Sequence, residues 1–277
     1  MKSIISRMTI IVVMMFTITV SNAQKAVELT YNLNVGDKYE FNTELNQDIS
    51  FDANGQTMTL EQVMSFQMGT EVNSITDGLI MQDLKFEKVS MNQKIFGMEL
   101  NYNSEDESTW TGMGAQIADQ FNKIIGLSIN FGMDNKGSIE QIDLSKVKGV
   151  DDLTNNLTSG SNYALYPEGK IKVGESWEKN IKPLKGSEMK VFIKYTLLKI
   201  TKKQVVISLD GTLSGNVVDG TEVKLDGVTE GELIVDINTG MLVNSTMDID
   251  LTIEIEQQGM KIPANIISTS TTTVVKK

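Results

Sequence analysis

Cysteine and histidine are absent from this sequence of 277 residues, and Arg7 is its only arginine. Without histidine and cysteine, Ser–His–Asp and Cys–His nucleophile systems and ordinary zinc, copper, haem and iron–sulfur sites are excluded. The absence of cysteine also means that packing and strand pairing, not disulfides, must stabilise the fold. We therefore expect a protein that is not an enzyme, with no cofactor, no metal and no catalytic residue.

Positive charge is scarce as well, because 25 Lys and Arg stand against 36 Asp and Glu, which gives a net charge of −11 at pH 7. Nucleic-acid binding depends on a basic surface, and so does charge-driven docking onto an anionic membrane. The composition therefore argues against both kinds of partner. An acidic balance of this size favours solubility.

The first 23 residues have the three parts of a secretory signal peptide. Lys2 and Arg7 provide the positive charge, Met8–Val20 is an apolar run of 13 residues, and small residues precede a cleavage point after Ala23. A helix that spans a membrane needs about 20 apolar residues, so the alternative of an uncleaved membrane anchor is not favoured. The sequence predicts a periplasmic or extracellular protein, and the lack of cysteine excludes a cysteine-linked lipid anchor.

Apolar and polar residues alternate with a period of two over most of the remaining chain, which is typical of strands with one buried face. The first such strand begins near Tyr39, and Asn54-Gly55 and Asp77-Gly78 indicate tight hairpin turns after it. Further strands are predicted at 79–91, 127–133, 138–144, 189–201, 204–213, 221–237, 241–257 and 260–275. This pattern predicts a mainly β fold built from long curved antiparallel sheets, half-barrel or barrel-like in shape.

Two segments have apolar residues at helical spacing. The first lies near 112–126 and has Gly126 as a suitable stop, so we predict an amphipathic helix that packs on a sheet face. Val150, Leu153 and Leu157 indicate a shorter second helix. One or two helices are thus expected to cover the sheet. A helix on a membrane surface is disfavoured, because such helices usually carry several Lys or Arg on the polar face.

Two strand starts, Val35–Glu40 and Val173–Glu178, share the order apolar residue, glycine, acid, any residue, aromatic residue, Glu. The match marks either two related halves or one turn structure that both strands use. We predict an N-terminal β half at 24–144, a connecting segment at 145–172 and a C-terminal β half at 173–277. These halves form either one barrel or two domains.

Several short stretches carry a resemblance to a known family. They are Phe131–Gly137, Tyr166–Trp177 and Gly231–Gly240, together with the Ala23-Gln24 junction and the Val35-Gly36-x-x-Tyr39 strand start. They resemble a domain-of-unknown-function family of secreted β proteins from Bacteroidota. The resemblance implies location and fold, and it assigns no catalytic or ligand residue. In architecture alone, the chain is similar to periplasmic half-barrel lipid or lipoprotein carriers, in which helices cover a curved sheet.

Four carboxylates share one face of the strand that begins at Met241. They are Asp248, Asp250, Glu254 and Glu256. Such a row is a candidate for a glycosidase pair or a calcium site. The favoured alternative is a solvated sheet face paired with lysines of a neighbouring strand, such as Lys190 and Lys194. The acidic loops Glu105-Asp106-Glu107 and Asp151-Asp152 lack the alternating pattern of a calcium loop.

Methionines and tryptophans are candidates for contacts with an apolar ligand. The candidates are Met58, Met64 and Met68 on one strand face, Met247 and Met260 beside a hairpin, and Trp110 and Trp177. Flexible methionine suits a surface that adapts to apolar ligands, but it also fills irregular cores. Core packing is the favoured interpretation for both residue types.

The leading hypothesis is a non-enzymatic periplasmic or extracellular protein that binds an apolar or amphipathic ligand such as a lipid. The alternatives are a cell-envelope structural or protein-interaction module and a carboxylate-dependent glycan hydrolase. A carrier should contain an apolar cavity of at least about 300 Å³. An interaction module should expose a contiguous apolar patch, and a hydrolase needs two carboxylates roughly 5–10 Å apart in a cleft.

Overall fold

The computed structural model describes residues 26–53, 56–95, 97–143, 145, 163–181, 189–218, 221–257 and 260–277. The strands are β1 (Val27–Glu28), β2 (Lys38–Ala53), β3 (Gln56–Thr76), β4 (Leu79–Ile95), β5 (Met98–Asn103), β6 (Ser128–Met133), β7 (Ile139–Asp143), β8 (Lys170–Ile171), β9 (Ser176–Ile181), β10 (Lys190–Ile200), β11 (Gln204–Val218), β12 (Thr221–Asp236), β13 (Leu242–Gln257) and β14 (Met260–Lys276). A short 3-10 helix at Glu107–Thr109 precedes the helix α1 at Met113–Phe121. The predicted signal peptide at 1–23 and the predicted helix around 150–157 lie outside the described residues.

Twelve of the strands form one antiparallel sheet, in the order β7-β6-β4-β3-β2-β14-β13-β12-β11-β10-β9, with β5 paired to β4. The last strand β14 pairs along its length with β2, so strands from both halves of the chain belong to this sheet. Among the described strands, the end strands β7 and β9 are not paired with each other, so the sheet is open and half-barrel-like. The predicted mainly β, antiparallel fold is confirmed.

The alternation in the sequence sets which face of each strand is buried. On β2, Tyr39 and Phe41 are buried while Lys38 and Glu40 lie on the other face. The strands β3 and β4 meet at the predicted Asp77-Gly78 turn, where φ is 51° and 82° at the two residues. Both values are positive, as a two-residue hairpin of type I′ requires. The predicted Asn54-Gly55 turn lies outside the described residues.

The helix is shorter than predicted, because α1 ends at Phe121 and not at Gly126. After the helix, the Gly126 N–H donates to the Phe86 carbonyl at 2.8 Å, which ties the chain to β4. The Phe121 ring stacks on Tyr102 at 5.5 Å and meets Phe66 edge-on at 6.5 Å. The helix therefore covers only the part of the inner face that β3 and β5 provide.

Two extended segments, Leu29–Leu33 and Tyr163–Tyr166, cover another part of the inner face, where helices were expected. The Tyr31 ring lies 5.9 Å from Tyr163 and 5.1 Å from Tyr166, centroid to centroid. The Tyr31 hydroxyl donates to the Ala164 carbonyl at 3.1 Å. Leu29, Tyr31 and Leu33 alternate with polar residues and are all buried, so the sequence held a signal for the first segment that was missed, whereas Tyr163–Tyr166 shows no such alternation.

The two matching strand starts have the same geometry. Gly36 and Gly174 have φ of 88° and 87°, and each is followed by an acid that accepts a hydrogen bond from the N–H three residues earlier. The acceptors are Asp37 for Asn34 and Glu175 for Lys172, each at 2.9 Å. Both strand starts therefore use the same turn structure. The division into two halves at 24–144 and 173–277 stays a prediction.

Candidate ligand site on the inner face

Among the described residues of β2–β4 and β10–β14, the inner face carries one charge, that of Lys276 at the end of β14, which lies over the Tyr39 ring and pairs with Asp37. Elsewhere on these strands, alternation and register place apolar, amide, hydroxyl and glycine residues on the inner face, and Asp, Glu and the other Lys on the outer face. Lys179 on the end strand β9 occupies an inward position, where it lines a separate groove with Glu168 and Glu175. A chain with 36 acidic residues thus keeps the middle of this face free of described charges.

An apolar cavity of about 170 Å³ lies between β10–β13 and the Tyr163–Tyr166 segment. Its walls include Tyr163, Tyr195, Leu209, Thr229, Met247 and Ile249. The volume is below the roughly 300 Å³ expected of a site that encloses a whole drug-sized ligand. It is close to the volume of about 150 Å³ at which an apolar cavity stays dry and takes up benzene. The cavity therefore suits one end of an apolar chain.

Glycines at inward positions bend the sheet beneath this cavity. A Cβ on Gly211 would lie 2.7 Å from the Phe192 carbonyl oxygen, and one on Gly227 would lie 2.6 Å from the Asp250 carbonyl oxygen. Strands approach this closely only where a side chain is missing, and glycine in a strand often marks such a bend. The same glycines place no side chain between the cavity residues Leu209 and Leu213 on β11, and none between Leu225 and Thr229 on β12. Their positions therefore explain both the curvature and the space.

The wall of the cavity at β10 is aromatic and fixed by hydrogen bonding. The Trp177 ring stacks on Tyr195 at 5.3 Å, and its Nε1 donates to the Leu165 carbonyl at 2.7 Å. Burial raises the pKa of the Tyr195 phenol well above its usual value, so this wall stays uncharged at neutral pH. Trp177 is thus a packing anchor, as predicted, and it lies directly behind a residue of the cavity wall.

A ladder of neutral side chains crosses the inner face beside the cavity. Gln93 Nε2 donates to Gln62 Oε1 at 3.1 Å, and Gln62 Nε2 donates to Gln47 Oε1 at 3.0 Å. Gln47 Nε2 then donates to Ser268 Oγ at 3.0 Å. These four residues lie directly opposite one another on β4, β3, β2 and β14. We call them the amide ladder.

Beyond the amide ladder, toward the β2–β3 hairpin, the inner face is apolar and half-buried. We call this surface the trough. It consists of Ile49, Phe51, Leu60, Ile95, Leu251, Ile253 and Ile266. Gly227 of β12 lies opposite Leu251 of the trough on one side and opposite Leu213 of the cavity wall on the other. The trough and the cavity are therefore continuous. A ligand too long for the cavity has an apolar surface on which to continue.

Residues 160–242 match a family of unknown function (DUF6263). This stretch provides Tyr163, Tyr195, Leu209 and Thr229 of the cavity wall. It also includes the Tyr166–Trp177 and Gly231–Gly240 stretches that carried the resemblance in the sequence. The match supports the resemblance at the level of a family without known function, whereas secretion and a Bacteroidota origin stay predictions. No curated protein matches the sequence.

Among solved structures, the chain is similar to a lipovitellin structure that concerns lipid–protein interactions, with a TM-score of 0.54 and 10% identity. The alignment covers 88% of this chain and 25% of the lipovitellin chain, so the protein spans about a quarter of that length. This likeness shows the fold alone. An outer membrane channel from Pseudomonas putida aligns over 88% of this chain and 97% of its own, with 9% identity and a TM-score of only 0.25.

A DUF1329 family protein from Desulfovibrio piger aligns over 84% of this chain and 83% of its own, with 11% identity and a TM-score of 0.16. The TM-scores of this protein and the channel are too low to support an argument about this chain. Within the described ranges, no helix combines the length and the apolar character needed to cross a membrane.

The carboxylate row on β13 lies on the outer face. Asp248 and Asp250 are exposed, Glu254 is half-buried, and the Glu256 side chain lies outside the described set. Asp248 Oδ1 accepts a hydrogen bond from the Thr269 hydroxyl at 2.6 Å. Among described residues, no group of three or more acidic side chains is arranged to hold a metal ion. The row therefore has the features of a solvated sheet face.

The prediction that lysines of β10 pair with this row was wrong. Lys190 and Lys194 lie on β10, which is separated from β13 by β11 and β12. The neighbours of β13 are β12 and β14, and Lys224 of β12 lies opposite Glu254. Only the order of strands in the sheet reveals this, because the sequence pattern does not show which strands are adjacent.

The acidic loop at 105–107 has a structural role. Glu105 forms an ion pair with Lys88 at 2.9 Å, and Asp106 caps the 3-10 helix by accepting from the Ser108 N–H. Hydrogen bonds from Ser108 lower the pKa of Asp106. Asp151-Asp152 lies outside the described residues.

The candidate methionines lie on the inner face where they are described. Met64 and Met68 are buried in the core, Met58 is half-buried, and Met247 lines the cavity. The Met260 side chain is outside the described set. Trp110 is half-buried and packs against Tyr102 at 6.5 Å, so it serves packing and is remote from the cavity wall.

Proposed function

We propose that this protein binds an apolar or amphipathic ligand, such as a lipid, on the inner face of its half-barrel sheet and performs no chemistry on it. The observation that carries the proposal is an apolar cavity that opens into the half-buried trough, on a part of the inner face whose described side chains carry no charge. Ligand sites are generally concave and apolar, with a few polar groups that fix orientation. The amide ladder provides such polar groups.

The place of action in this proposal is the periplasm or the extracellular space, reached through the signal peptide at 1–23. An acidic outer face supports it, because such a surface keeps a protein with an apolar groove soluble. The composition also supports a role without catalysis, since histidine and cysteine are absent from the sequence.

The cavity volume limits how the ligand is held. At about 170 Å³, the cavity encloses one end of a chain, and the remainder lies along the trough. Each buried methylene contributes about 0.8 kcal/mol to binding, so affinity should rise with chain length until the trough is filled.

A protein-interaction module is the second candidate, and the half-buried apolar side chains of the trough favour it. A contiguous exposed apolar patch is typical of protein interfaces. The two candidates differ at the cavity, because a protein partner covers the trough but does not need the enclosed space behind Ile249.

We expect the substitution Ile249→Phe to weaken binding of a long-chain neutral lipid by about tenfold or more. The larger ring fills the cavity and displaces roughly two methylene groups, at about 0.8 kcal/mol each. Quenching of Trp177 fluorescence in a Trp110→Phe background measures this binding, because Trp177 stacks on the Tyr195 wall. Native mass spectrometry of protein purified without detergent from its producing cells shows whether a ligand is already bound.

Ile267→Phe is the matched control, since Ile267 is 58% exposed on the outer face of the adjacent strand β14. This control should bind as the parent does. If both variants bind the lipid like the parent, the cavity is not the site. If no apolar probe binds at all and a protein co-purifies only when the trough is intact, the interaction module replaces our proposal.

A further inference from the structure

We infer that the site selects uncharged amphipathic ligands, namely alcohols, amides or esters with an apolar chain, and places their polar group on the amide ladder. The inference rests on the proposed function and adds the chemical class of the ligand. It draws on three observations: the position of the ladder, its hydrogen-bonding capacity and the absence of charge around it.

The amide ladder lies at a distance from the cavity that suits a small amphiphile with its apolar chain in the cavity and its polar group on the ladder. Ser268, at one end of the ladder, lies directly opposite Ile249 of the cavity wall. Neighbouring strands are about 4.8 Å apart, so Gln47, the next residue of the ladder, lies roughly 10 Å from the Ile249 strand. A chain that ends in the cavity therefore has its polar group within reach of Ser268 and Gln47.

The ladder has hydrogen-bonding capacity beyond its internal bonds. A glutamine amide offers two N–H donors and an oxygen with two lone pairs. Within the ladder, each of the three glutamines uses Nε2 to donate to its neighbour. Gln62 also donates to the Met64 sulfur at 2.9 Å, so the further N–H donors of the ladder are those of the half-buried Gln47 and Gln93. The amide oxygens retain lone pairs, so the ladder can both donate to and accept from a hydroxyl, ester or amide group.

The charge of the surroundings excludes an ionised head group. Among described residues of β2–β4 and β10–β14, the one inward cation is Lys276, which lies over the Tyr39 ring eight residues along β14 from Ser268 and pairs with Asp37. Lys179 at the end strand lies in the separate groove. Burying a carboxylate away from a cation is strongly unfavourable. The net charge of −11 adds repulsion at longer range. A fatty-acid anion should therefore bind poorly where an alcohol of the same chain length binds well.

The alternative explanation of the ladder is that it only fixes strand register. Cross-strand polar pairs stabilise sheets, and register is set wherever one face is buried. A purely structural ladder affects stability when altered, but it does not discriminate between ligand head groups. Ligand selectivity therefore separates the two explanations.

The test compares decanol with decanoate at pH 8, read by Trp177 quenching in the full-length Trp110→Phe protein. We expect decanol to bind at least tenfold more tightly than decanoate. The difference should shrink as the pH falls toward the pKa of the fatty acid, which is near that of a glutamate side chain, about 4.3. Equal binding of the two compounds at pH 8 overturns the inference.

Substitutions at Gln47 test the ladder directly. Gln47→Met removes the amide at similar size and should weaken decanol binding about threefold to tenfold, the usual net effect of one hydrogen bond. Gln47→Lys introduces a cation and should strengthen decanoate binding at least tenfold at pH 8. Gln67→Lys is the matched control, because Gln67 lies on β3 but faces outward, and it should leave decanoate binding unchanged.

The outcomes separate this inference from the proposed function. If neither decanol nor a neutral apolar dye such as Nile red binds, the proposed function fails. If both bind but decanoate binds equally well, or if Gln47→Lys and Gln67→Lys have the same effect, only the head-group inference fails. Should Gln47→Lys not fold, Gln93→Lys at the other end of the ladder tests the same gain of decanoate binding.

Discussion

Raising the pH above about 10 should unfold this protein cooperatively, with a loss of stability on the order of 1 kcal/mol per pH unit for each of four buried phenols. The cause is a set of four buried phenols, Tyr31, Tyr163, Tyr166 and Tyr195. Burial raises the pKa of each well above the usual value near 10. Folded proteins are usually stable by only 5–15 kcal/mol, so a loss of this size is decisive.

The sign follows from the direction of the pKa shifts. Between the unfolded pKa near 10 and the higher folded pKa, the unfolded chain has released its phenol protons while the folded chain still holds them. The unfolded state therefore binds fewer protons, and stability falls as the pH rises. Below pH 10 both states are protonated and the contribution is fully present. The sequence has no histidine, so we expect a flat stability profile between about pH 6 and 9.

Denaturant titrations at a series of pH values measure this loss, and near-ultraviolet absorbance reports tyrosinate. Ionisation of the four phenols should coincide with unfolding. Tyr195→Phe keeps the ring that stacks on Trp177 and removes one ionisable group, so the slope above pH 10 should fall by about 1.4 kcal/mol per pH unit. Tyrosinate absorbance that develops near pH 10 in protein that is still folded would falsify the argument.

The sequence predicted the sheet because its signal is local. Period-two alternation places Tyr39 and Phe41 on one face of β2 without any knowledge of the partner strand. Turn residues such as Asp77-Gly78 then specify antiparallel neighbours, and the long strands imply curvature. Short strands were harder to predict from the sequence. For example, β5 has only six residues, and its alternation of apolar and polar residues is weak.

Long-range contacts were beyond the sequence. Tyr31 and Ala164 are separated by 133 positions and joined by one hydrogen bond. The alternation of Leu29, Tyr31 and Leu33 with polar residues indicates that one face of this segment is buried, but it does not indicate that Tyr163–Tyr166 is the partner. The error over Lys190 and Lys194 has the same origin, since the order of strands depends on how the whole sheet is assembled. Local patterns specify faces, whereas neighbours depend on the complete fold.

The amide ladder was missed although a signal was present. Gln47 falls between Leu45 and Ile49, and Gln62 between Leu60 and Met64, each in the inward phase of its strand. A polar residue in an inward phase is unfavourable unless it has a partner, so it indicates either a buried network or a ligand site. The register needed to see that Gln47, Gln62 and Gln93 lie opposite one another came only from the structure.

The turn between β12 and β13 holds the covering segments in place, and Gly240→Ala should cost about 2–5 kcal/mol of stability. Gly240 has φ of 71°, a region that costs a side chain about 1–2 kcal/mol. A Cβ there would also collide with the Thr30 carbonyl oxygen, and relieving such crowding typically costs about 1–3 kcal/mol. The Tyr166 hydroxyl donates to the Gly240 carbonyl, so a shift of the turn also disturbs the tyrosine cluster.

Gly36→Ala is the matched control, since Gly36 has φ of 88° but its Cβ would meet no atom within 4 Å. It should cost only the conformational part, about 1–2 kcal/mol. Urea denaturation of both variants measures the difference, which isolates the contact between Gly240 and the Thr30 backbone. Equal losses would show that this turn does not fix the Leu29–Leu33 segment. A larger loss for Gly240→Ala, accompanied by an altered near-ultraviolet signal from the tyrosines, means that the covering segment and the turn form one cooperative unit beside the ligand cavity.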